Sequence, residues 1–129
     1  MRHRKDVSEP LLMDGPELFS FAVRRVPEVV HELLRRSGKR MEAIDLFVFH
    51  QANQHMLEHL RKKLHIPAER FVVALENFGN TVSATIPIAL KEASSQGRIK
   101  TGALVMLVGF GVGYSWGATL ITWRPLGDR

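Results

Sequence analysis

The chain has 129 residues, which suits a single domain with its own hydrophobic core. It contains no cysteine, which excludes a disulfide framework, and it carries a net charge of +5 with basic residues spread over several predicted helices. No nucleic-acid motif accompanies these residues. The longest apolar stretch, residues 103–110, is far below the roughly 20 residues that a membrane helix needs. We therefore expect a cytoplasmic protein that binds neither nucleic acid nor membranes.

A long helix is predicted after a charged N-terminal segment, residues 1–11, that has no strand pattern. Asp14-Gly15-Pro16-Glu17 is a capping-box sequence with proline in the first turn, and Ser37-Gly38 is expected to end the helix. Apolar residues recur between them at helical spacing. They are Phe19, Val23, Val26, Val30, Leu33 and Leu34.

Two apolar runs then predict strands that each lead into a helix. Residues 44–49 end at His50-Gln51-Ala52-Asn53, and a helix is predicted from about Asn53 to Leu64. Residues 71–75 lead through a short polar loop to Gly79-Asn80-Thr81. The next helix should begin between residues 80 and 83 and end at Gly97.

The C-terminal part predicts an antiparallel hairpin. Residues 105–108 run into a glycine-rich turn at residues 109–117, and residues 118–123 form the returning strand. The glycine spacing does not fit a dinucleotide-binding fingerprint, and a strand follows where such a fingerprint needs a helix. The whole pattern predicts an α/β domain in which helices are layered on a mixed sheet that ends in this hairpin.

His50 and Asn80 are the candidate chemical pair, because each follows a predicted strand and ligands bind at the carboxyl ends of strands in such folds. A neutral imidazole and an amide NH2 can both donate to one oxygen that gains negative charge. Such a pair of N–H donors can stabilise an enolate or a tetrahedral oxyanion. The simpler alternative is that His50 ends a strand and Asn80 caps a helix.

Three motifs, in their order, resemble the C-terminal half of the 3-oxoacyl-[acyl-carrier-protein] synthase III family of the thiolase superfamily. They are His-Gln-Ala-Asn at residues 50–53, Phe-Gly-Asn-Thr-x-Ser-Ala at 78–84 and Phe-Gly-x-Gly-Tyr-Ser-Trp-Gly at 110–117. The resemblance implies a thiolase-like half domain over residues 12–124 and a tail at 125–129. It also implies a five-layer arrangement and a missing opening strand, expected at the centre of the sheet. A chain without this strand would have to fill the gap or fold differently, and self-association into a homo-oligomer, such as a dimer, would then follow.

The resemblance implies an acyltransferase with a Cys, His and Asn triad and no cofactor or metal. His50 and Asn80 would be the His and the Asn of this triad. They would hold malonyl-ACP during a decarboxylative Claisen condensation with an acyl thioester from acyl-CoA or acyl-ACP. A thioester needs a thiolate nucleophile. We therefore expect a Cys-bearing N-terminal half as partner, and no activity from this chain alone. The chain would be a fragment, a dissected domain or a subunit.

Other site residues follow from the same resemblance. The backbone amides of Gly111, Val112 and Gly113 would contribute to an oxyanion hole, although relatives often have glycine in place of Val112. Phe78 and Gly79 would shape the substrate pocket. Three basic residues would dock the acidic acyl carrier protein: Arg61, Lys62 and Lys63.

Two alternatives remain open. The chain could be a non-catalytic binding or subunit module of the thiolase superfamily. The sequence His55-Met56-Leu57-Glu58-His59 also matches H-x-x-E-H, a short zinc-peptidase signature. Solvated polar residues on an amphipathic helix explain that pattern more simply.

Overall fold

The computed structural model of the protein describes residues 13–127. The predicted charged segment at residues 1–11 lies outside them, and the proposed domain limits stay a prediction. The described helices and strands are α1 (Gly15–Ser37), β1 (Leu46–Phe49), α2 (Gln54–Lys63), α3 (Leu75–Phe78), α4 (Thr85–Ser95), β2 (Leu104–Gly111) and β3 (Ser115–Thr122). Short 3-10 turns lie at Met41–Ala43, Ala68–Arg70 and Val82–Ala84.

The ends of α1 are set by the local signals that predicted them. The Asp14 side chain accepts a 3.0 Å hydrogen bond from the backbone N–H of Glu17. Gly38 closes the helix in the left-handed conformation at φ 65°. Although α1 has 23 residues, neither it nor any other helix within residues 13–127 is apolar enough to cross a bilayer.

The sheet is mixed and has the order β1-β2-β3. β1 pairs with β2 in parallel, and β2 pairs with β3 antiparallel along the whole hairpin, which confirms the predicted fold class. Because neighbouring strands bond directly, the described sheet has no vacant central position. β1 and β2 thus fill, by pairing directly with each other, the central gap that the family arrangement led us to expect.

The predicted strand at residues 71–75 is wrong. Only Phe71 forms a bridge, with Phe47, and residues 75–78 are the short helix α3. The ladder stops because the Gln51 side chain takes the next rung: its Oε1 accepts from the backbone N–H of Ala74, and its Nε2 donates to Val72 O. Phe71, Val72 and Ala74 are nevertheless buried, and this burial produced the strand-like apolar run.

The sheet is covered on both faces, which is why every residue of β1 is buried. Phe47 and Phe49 pack in one core cluster with residues of α1 and α2. Leu46 and Val48 pack in a second cluster with residues of α4. α2 buries Met56, Leu57 and Leu60. α4 begins at residue 85, slightly later than predicted, because the 3-10 turn at Val82–Ala84 precedes it.

Candidate active site

The three motif segments reach the same edge of the sheet. β1 and β2 are parallel, so their carboxyl ends share an edge, and the backbone N–H of His50 donates to Val108 O at 2.8 Å. β2 ends at Gly111, where the glycine turn begins. The backbone N–H of Ala74 donates to the Gln51 side chain at 2.8 Å. This bond brings the segment that leads to residues 78–80 to the same edge.

His50 is half-buried at this edge and its ring has two neighbours. Nδ1 lies 2.6 Å from Oγ1 of Thr85, and the edge of the Phe110 ring meets the imidazole at a centroid distance of 5.3 Å. Burial lowers the pKa of His50 below its ordinary value, so the imidazole is neutral at pH 7 and carries one N–H. Nε2 has no hydrogen-bond partner among residues 13–127.

Asn80 is exposed and presents a donor. Its Oδ1 accepts a 2.9 Å hydrogen bond from the backbone N–H of Val82, which closes an Asx turn. The oxygen of the carboxamide is therefore engaged, while the NH2 group makes no hydrogen bond within the described part of the chain. Asn80 does not cap α4, whose N-cap is Ala84. A free amide donor is what an oxyanion needs.

The backbone around Asn80 has an unusual conformation. Gly79 lies at φ 63° and ψ −157°, a region that is essentially restricted to glycine. Val82 has φ 58°, which a β-branched residue adopts only at a cost. Thr81 buries its hydroxyl oxygen without a partner among the described residues. The loop that carries Asn80 is thus held in a conformation that few other sequences would adopt.

Gln51 is a positioning residue that the sequence analysis missed. It is 2% exposed, and its Nε2 donates to Phe49 O at 2.8 Å and to Val72 O at 3.2 Å. Its Oε1 accepts from Ala74, so the buried amide is satisfied at both ends. The available signal was a glutamine two positions after a fully apolar strand. Asn53 in the same motif caps α2 by accepting from the backbone N–H of residue 56 at 2.8 Å.

The glycine turn is attached to α1 by aromatic contacts. Tyr114 stacks on Phe21 at 4.5 Å, and Trp116 meets the same ring edge-on at 5.3 Å. Gly113 has φ 150°, and an added Cβ would lie 3.0 Å from the backbone nitrogen of Ser115. A side chain at position 113 would therefore disturb the turn. Val112 is 69% exposed.

A cavity of ≈ 260 Å³ lies between the start of α1 and this turn. Its lining residues are Met13, Asp14, Glu17, Leu18, Val112 and Tyr114. Desolvation raises the pKa of Tyr114, and the neighbouring Glu17 carboxylate raises it further. Neither His50 nor Asn80 lines this cavity. It is therefore separate from the chemical pair.

Phe78 ends α3 next to Gly79 and is 45% exposed. Its ring makes no aromatic stacking contact among the described residues. Phe78 therefore presents an open apolar ring two positions before Asn80.

The three predicted docking residues differ in how available they are. Arg61 donates to both oxygens of Glu58, at 2.7 and 3.0 Å, and the paired guanidinium lowers the pKa of Glu58 to about 2. The ammonium of Lys63 donates to Val23 O at 2.9 Å. The side chain of Lys62 is 70% exposed and lies 3.5 Å from Glu58. Lys62 is thus the freest of the three cations.

The two histidines and the glutamate of the H-x-x-E-H motif contact other side chains of the chain. His55 stacks on Phe19 at 5.4 Å, and His59 meets the same ring edge-on at 5.2 Å. Glu58 is occupied by Arg61. Within residues 13–127, no three His, Asp or Glu side chains form a group that could hold a metal ion. These contacts favour a packing role for the motif.

Residues 34–123 match the family model described as 3-oxoacyl-[acyl-carrier-protein (ACP)] synthase III C terminal, and the chain belongs to this family. The β-ketoacyl-[acyl-carrier-protein] synthase III of Acaryochloris marina is 44% identical over 116 residues, which are 90% of this chain and 35% of that protein. The family assignment made from the three motifs is confirmed.

Solved structures agree with the sequence comparison. The β-ketoacyl-[acyl carrier protein] synthase III of Thermus thermophilus superposes with a TM-score of 0.84 and 44% identity, over 88% of this chain and 35% of that one. The 3-oxoacyl-(acyl carrier protein) synthase III of Pseudomonas aeruginosa PAO1 superposes with a TM-score of 0.87 and 34% identity, over 97% of this chain and 39% of that one. The chain therefore spans little more than a third of the length of these relatives.

Proposed function

We propose that this chain supplies the enolate-stabilising part of a 3-oxoacyl-ACP synthase III-like acyltransferase. The reaction is the decarboxylative condensation of an acyl thioester, from acyl-CoA or acyl-ACP, with malonyl-ACP. One observation carries the proposal. His50 and Asn80 each present a polar group without a partner among the described residues, on segments that reach one sheet edge of a chain from this family.

The chemistry follows from the two donors. Loss of CO2 from the malonyl group breaks a C–C bond and leaves the electron pair as an enolate, with its negative charge on the thioester oxygen. N–H groups of His50 and Asn80 that point at this oxygen stabilise the charge as it develops. A neutral imidazole suits this task, because it donates a hydrogen bond without delivering a strongly acidic proton to the enolate.

The enolate carbon then attacks an acyl group held as a thioester on a cysteine, and the C–C bond forms as the thiolate departs. Backbone amides at Gly111–Gly113 are the proposed donors to the oxyanion of this second step. The given sequence has no cysteine, so the thiolate comes from another polypeptide segment. The candidate is a Cys-bearing half that corresponds to the part of the relatives outside the matched third.

The exposed apolar side chains at the site edge support such a partner. Phe78, Val82 and Val112 are 45%, 74% and 69% exposed, and all three lie in the segments at the carboxyl end of the sheet. Exposed apolar groups that gather on one side of a domain mark surfaces that another protein covers. A partner seated there would bury these side chains and bring its cysteine toward His50.

Docking of the acidic acyl carrier protein is proposed at the end of α2. Lys62 provides an exposed ammonium, and the positive net charge of the chain would assist the encounter. Arg61 and Lys63 contribute mainly to the shape of this surface, because both side chains already bind other groups of the chain.

The test is a chimaera. The matched region of the Acaryochloris marina relative is replaced by this chain, and condensation of an acyl-CoA with malonyl-ACP is measured by product mass. We expect turnover from the chimaera and none from the isolated chain. His50→Ala and Asn80→Ala should each lower the rate by about 10²–10³. The matched controls are His31→Ala and Asn77→Ala, at exposed positions.

Undiminished turnover in a folded His50→Ala chimaera would contradict the assigned role. A folded chimaera that binds acyl carrier protein but does not condense would favour the non-catalytic module instead.

A further inference from the structure

We infer that Thr85 is a positioning residue that selects the tautomer of His50 in which Nε2 carries the proton. This inference rests on the proposed function, in which His50 must donate rather than accept. Thr85 is 2% exposed and is the first residue of α4. Its Oγ1 lies 2.6 Å from Nδ1 of His50, across 35 positions of the sequence.

The distance alone allows two arrangements of the hydrogens. In the first, the Thr85 hydroxyl donates to the lone pair of Nδ1, and Nε2 carries the imidazole N–H. In the second, Nδ1–H donates to Oγ1, and Nε2 holds a lone pair. The choice between them decides whether the free side of His50 attracts or repels a negatively charged oxygen.

The hydroxyl hydrogen settles the choice. Among the described residues, the Thr85 hydroxyl has no hydrogen-bond partner other than His50. If Nδ1 were the donor, the hydroxyl hydrogen would be buried without an acceptor, which is a costly defect. If the hydroxyl donates, both groups are satisfied. The geometry therefore favours the Nε2–H tautomer.

The surroundings hold the ring in this state. The edge of Phe110 packs against the imidazole, and desolvation keeps the ring neutral, so that only one nitrogen is protonated at pH 7. Nε2, which has no partner among residues 13–127, is then a donor available to substrate.

Thr85 also connects the two members of the chemical pair. It lies five positions after Asn80, beyond the 3-10 turn at Val82–Ala84. Its bond to His50 therefore ties the start of α4 to the end of β1. A single hydroxyl thus orients the imidazole and anchors the loop that carries the carboxamide.

The experiment measures the tautomer directly, by NMR of the full chain labelled with 15N-histidine at pH 7. We expect Nε2–H to dominate in the wild type and in Thr85→Ser, which keeps the hydroxyl. Thr85→Val removes the hydroxyl at nearly constant volume. It should lower the ratio of Nε2–H to Nδ1–H by about tenfold. Thr119→Val, at an exposed position of β3, is the matched control.

Two results would overturn the inference: an Nδ1–H tautomer in the wild type, or an unchanged ratio in folded Thr85→Val. If Thr85→Val does not fold, the tautomers of the wild type and of Thr85→Ser still decide. In the chimaera, Thr85→Val should lower kcat with little change in KM, and Thr85→Ser should restore it.

The tautomer is read without substrate, so the two proposals fail separately. An Nε2–H tautomer in a chimaera that does not condense would contradict the proposed function alone. An Nδ1–H tautomer in an active chimaera would contradict the role of Thr85 alone.

Discussion

Gln51 accepts a 2.8 Å hydrogen bond from the backbone N–H of Ala74 at a point where β1 has already ended. The glutamine amide takes the place of the next rung of the ladder, since it also donates to Val72 O. The chain is thereby held beside His50 before it turns into α3 and the Asn80 loop. The position of the proposed donors thus depends on a buried residue that has no chemical role of its own.

Replacing Gln51 by leucine should destabilise the domain. The substitution leaves the N–H of Ala74 and the carbonyl of Val72 without partners in a buried place, and each such group costs about 1–3 kcal/mol. We expect urea denaturation to show a loss of about 2–4 kcal/mol in the free energy of unfolding. Gln54→Leu, at an exposed position of α2, should change it little. Equal stabilities of the two variants would contradict the role of Gln51.

Gly79→Ala should strain the loop before Asn80. Gly79 lies at φ 63° and ψ −157°, and an added Cβ would meet no other atom within 4 Å, so the cost comes from the backbone alone. We expect a loss of about 1–3 kcal/mol, measured by thermal unfolding. Gly15→Ala is the matched control, because an added Cβ there also meets open space and Gly15 lies in α1. A loss of the same size at both positions would show that conformation is not the cause.

The comparison of sequence and structure shows which features have local causes. The ends of α1 were predictable because Asp14 and Gly38 act on neighbouring residues. The hairpin was predictable because its two strands adjoin in sequence. The failure at residues 71–75 has a physical reason: an apolar pattern reports burial, and it does not report whether a strand partner is present. The contact between His50 and Thr85 joins distant positions of one chain, and no local signal announces it.

Stability should fall as the pH is lowered, in part because of His50. Burial lowers the pKa of His50 below its ordinary value of 6.5. Between the lowered value and 6.5, the unfolded state binds more protons than the folded state, so the free energy of unfolding decreases as the pH falls through this window. The contribution is fully present above the ordinary pKa. Urea unfolding at about pH 7.5 and about pH 5.5 measures it.

The control for the pH dependence is His50→Gln, which removes the titrating group. The change in stability between the two pH values should be smaller in this variant than in the wild type. If both proteins respond equally, the titration of His50 does not contribute.

Substitutions of Arg61 and Lys62 should have different effects, one on the stability of the domain and the other on the docking of acyl carrier protein. Arg61 donates to Glu58 and to Ile66 O at 2.9 Å, and its side chain is only 19% exposed. Arg61→Ala should therefore lower the free energy of unfolding by about 1 kcal/mol. Lys62→Ala, at an exposed position, should leave stability within about 0.5 kcal/mol and weaken the binding of acyl carrier protein, measured by titration calorimetry. Unchanged carrier binding in Lys62→Ala would contradict docking at this position.

Self-association of the isolated chain remains a prediction. On the two helix layers, Phe19, Val23, Ile86 and Leu90 are only half-buried. Five exposed apolar side chains lie at residues 78–82 and 112–116, beside the candidate site. A surface of this kind favours association with another protein or with a second copy.

We therefore expect light scattering to show an average mass that rises with concentration. Val112→Ser should reduce this rise, because it removes an apolar side chain that is 69% exposed at the site edge. Leu126→Ser changes an even more exposed apolar residue outside that edge and serves as the control. A mass that stays monomeric at every concentration, with slowly exchanging amides in β1 and β2, would show that the sheet and its two helix layers are sufficient alone. The apolar edge would then be a surface that only a Cys-bearing partner recognises.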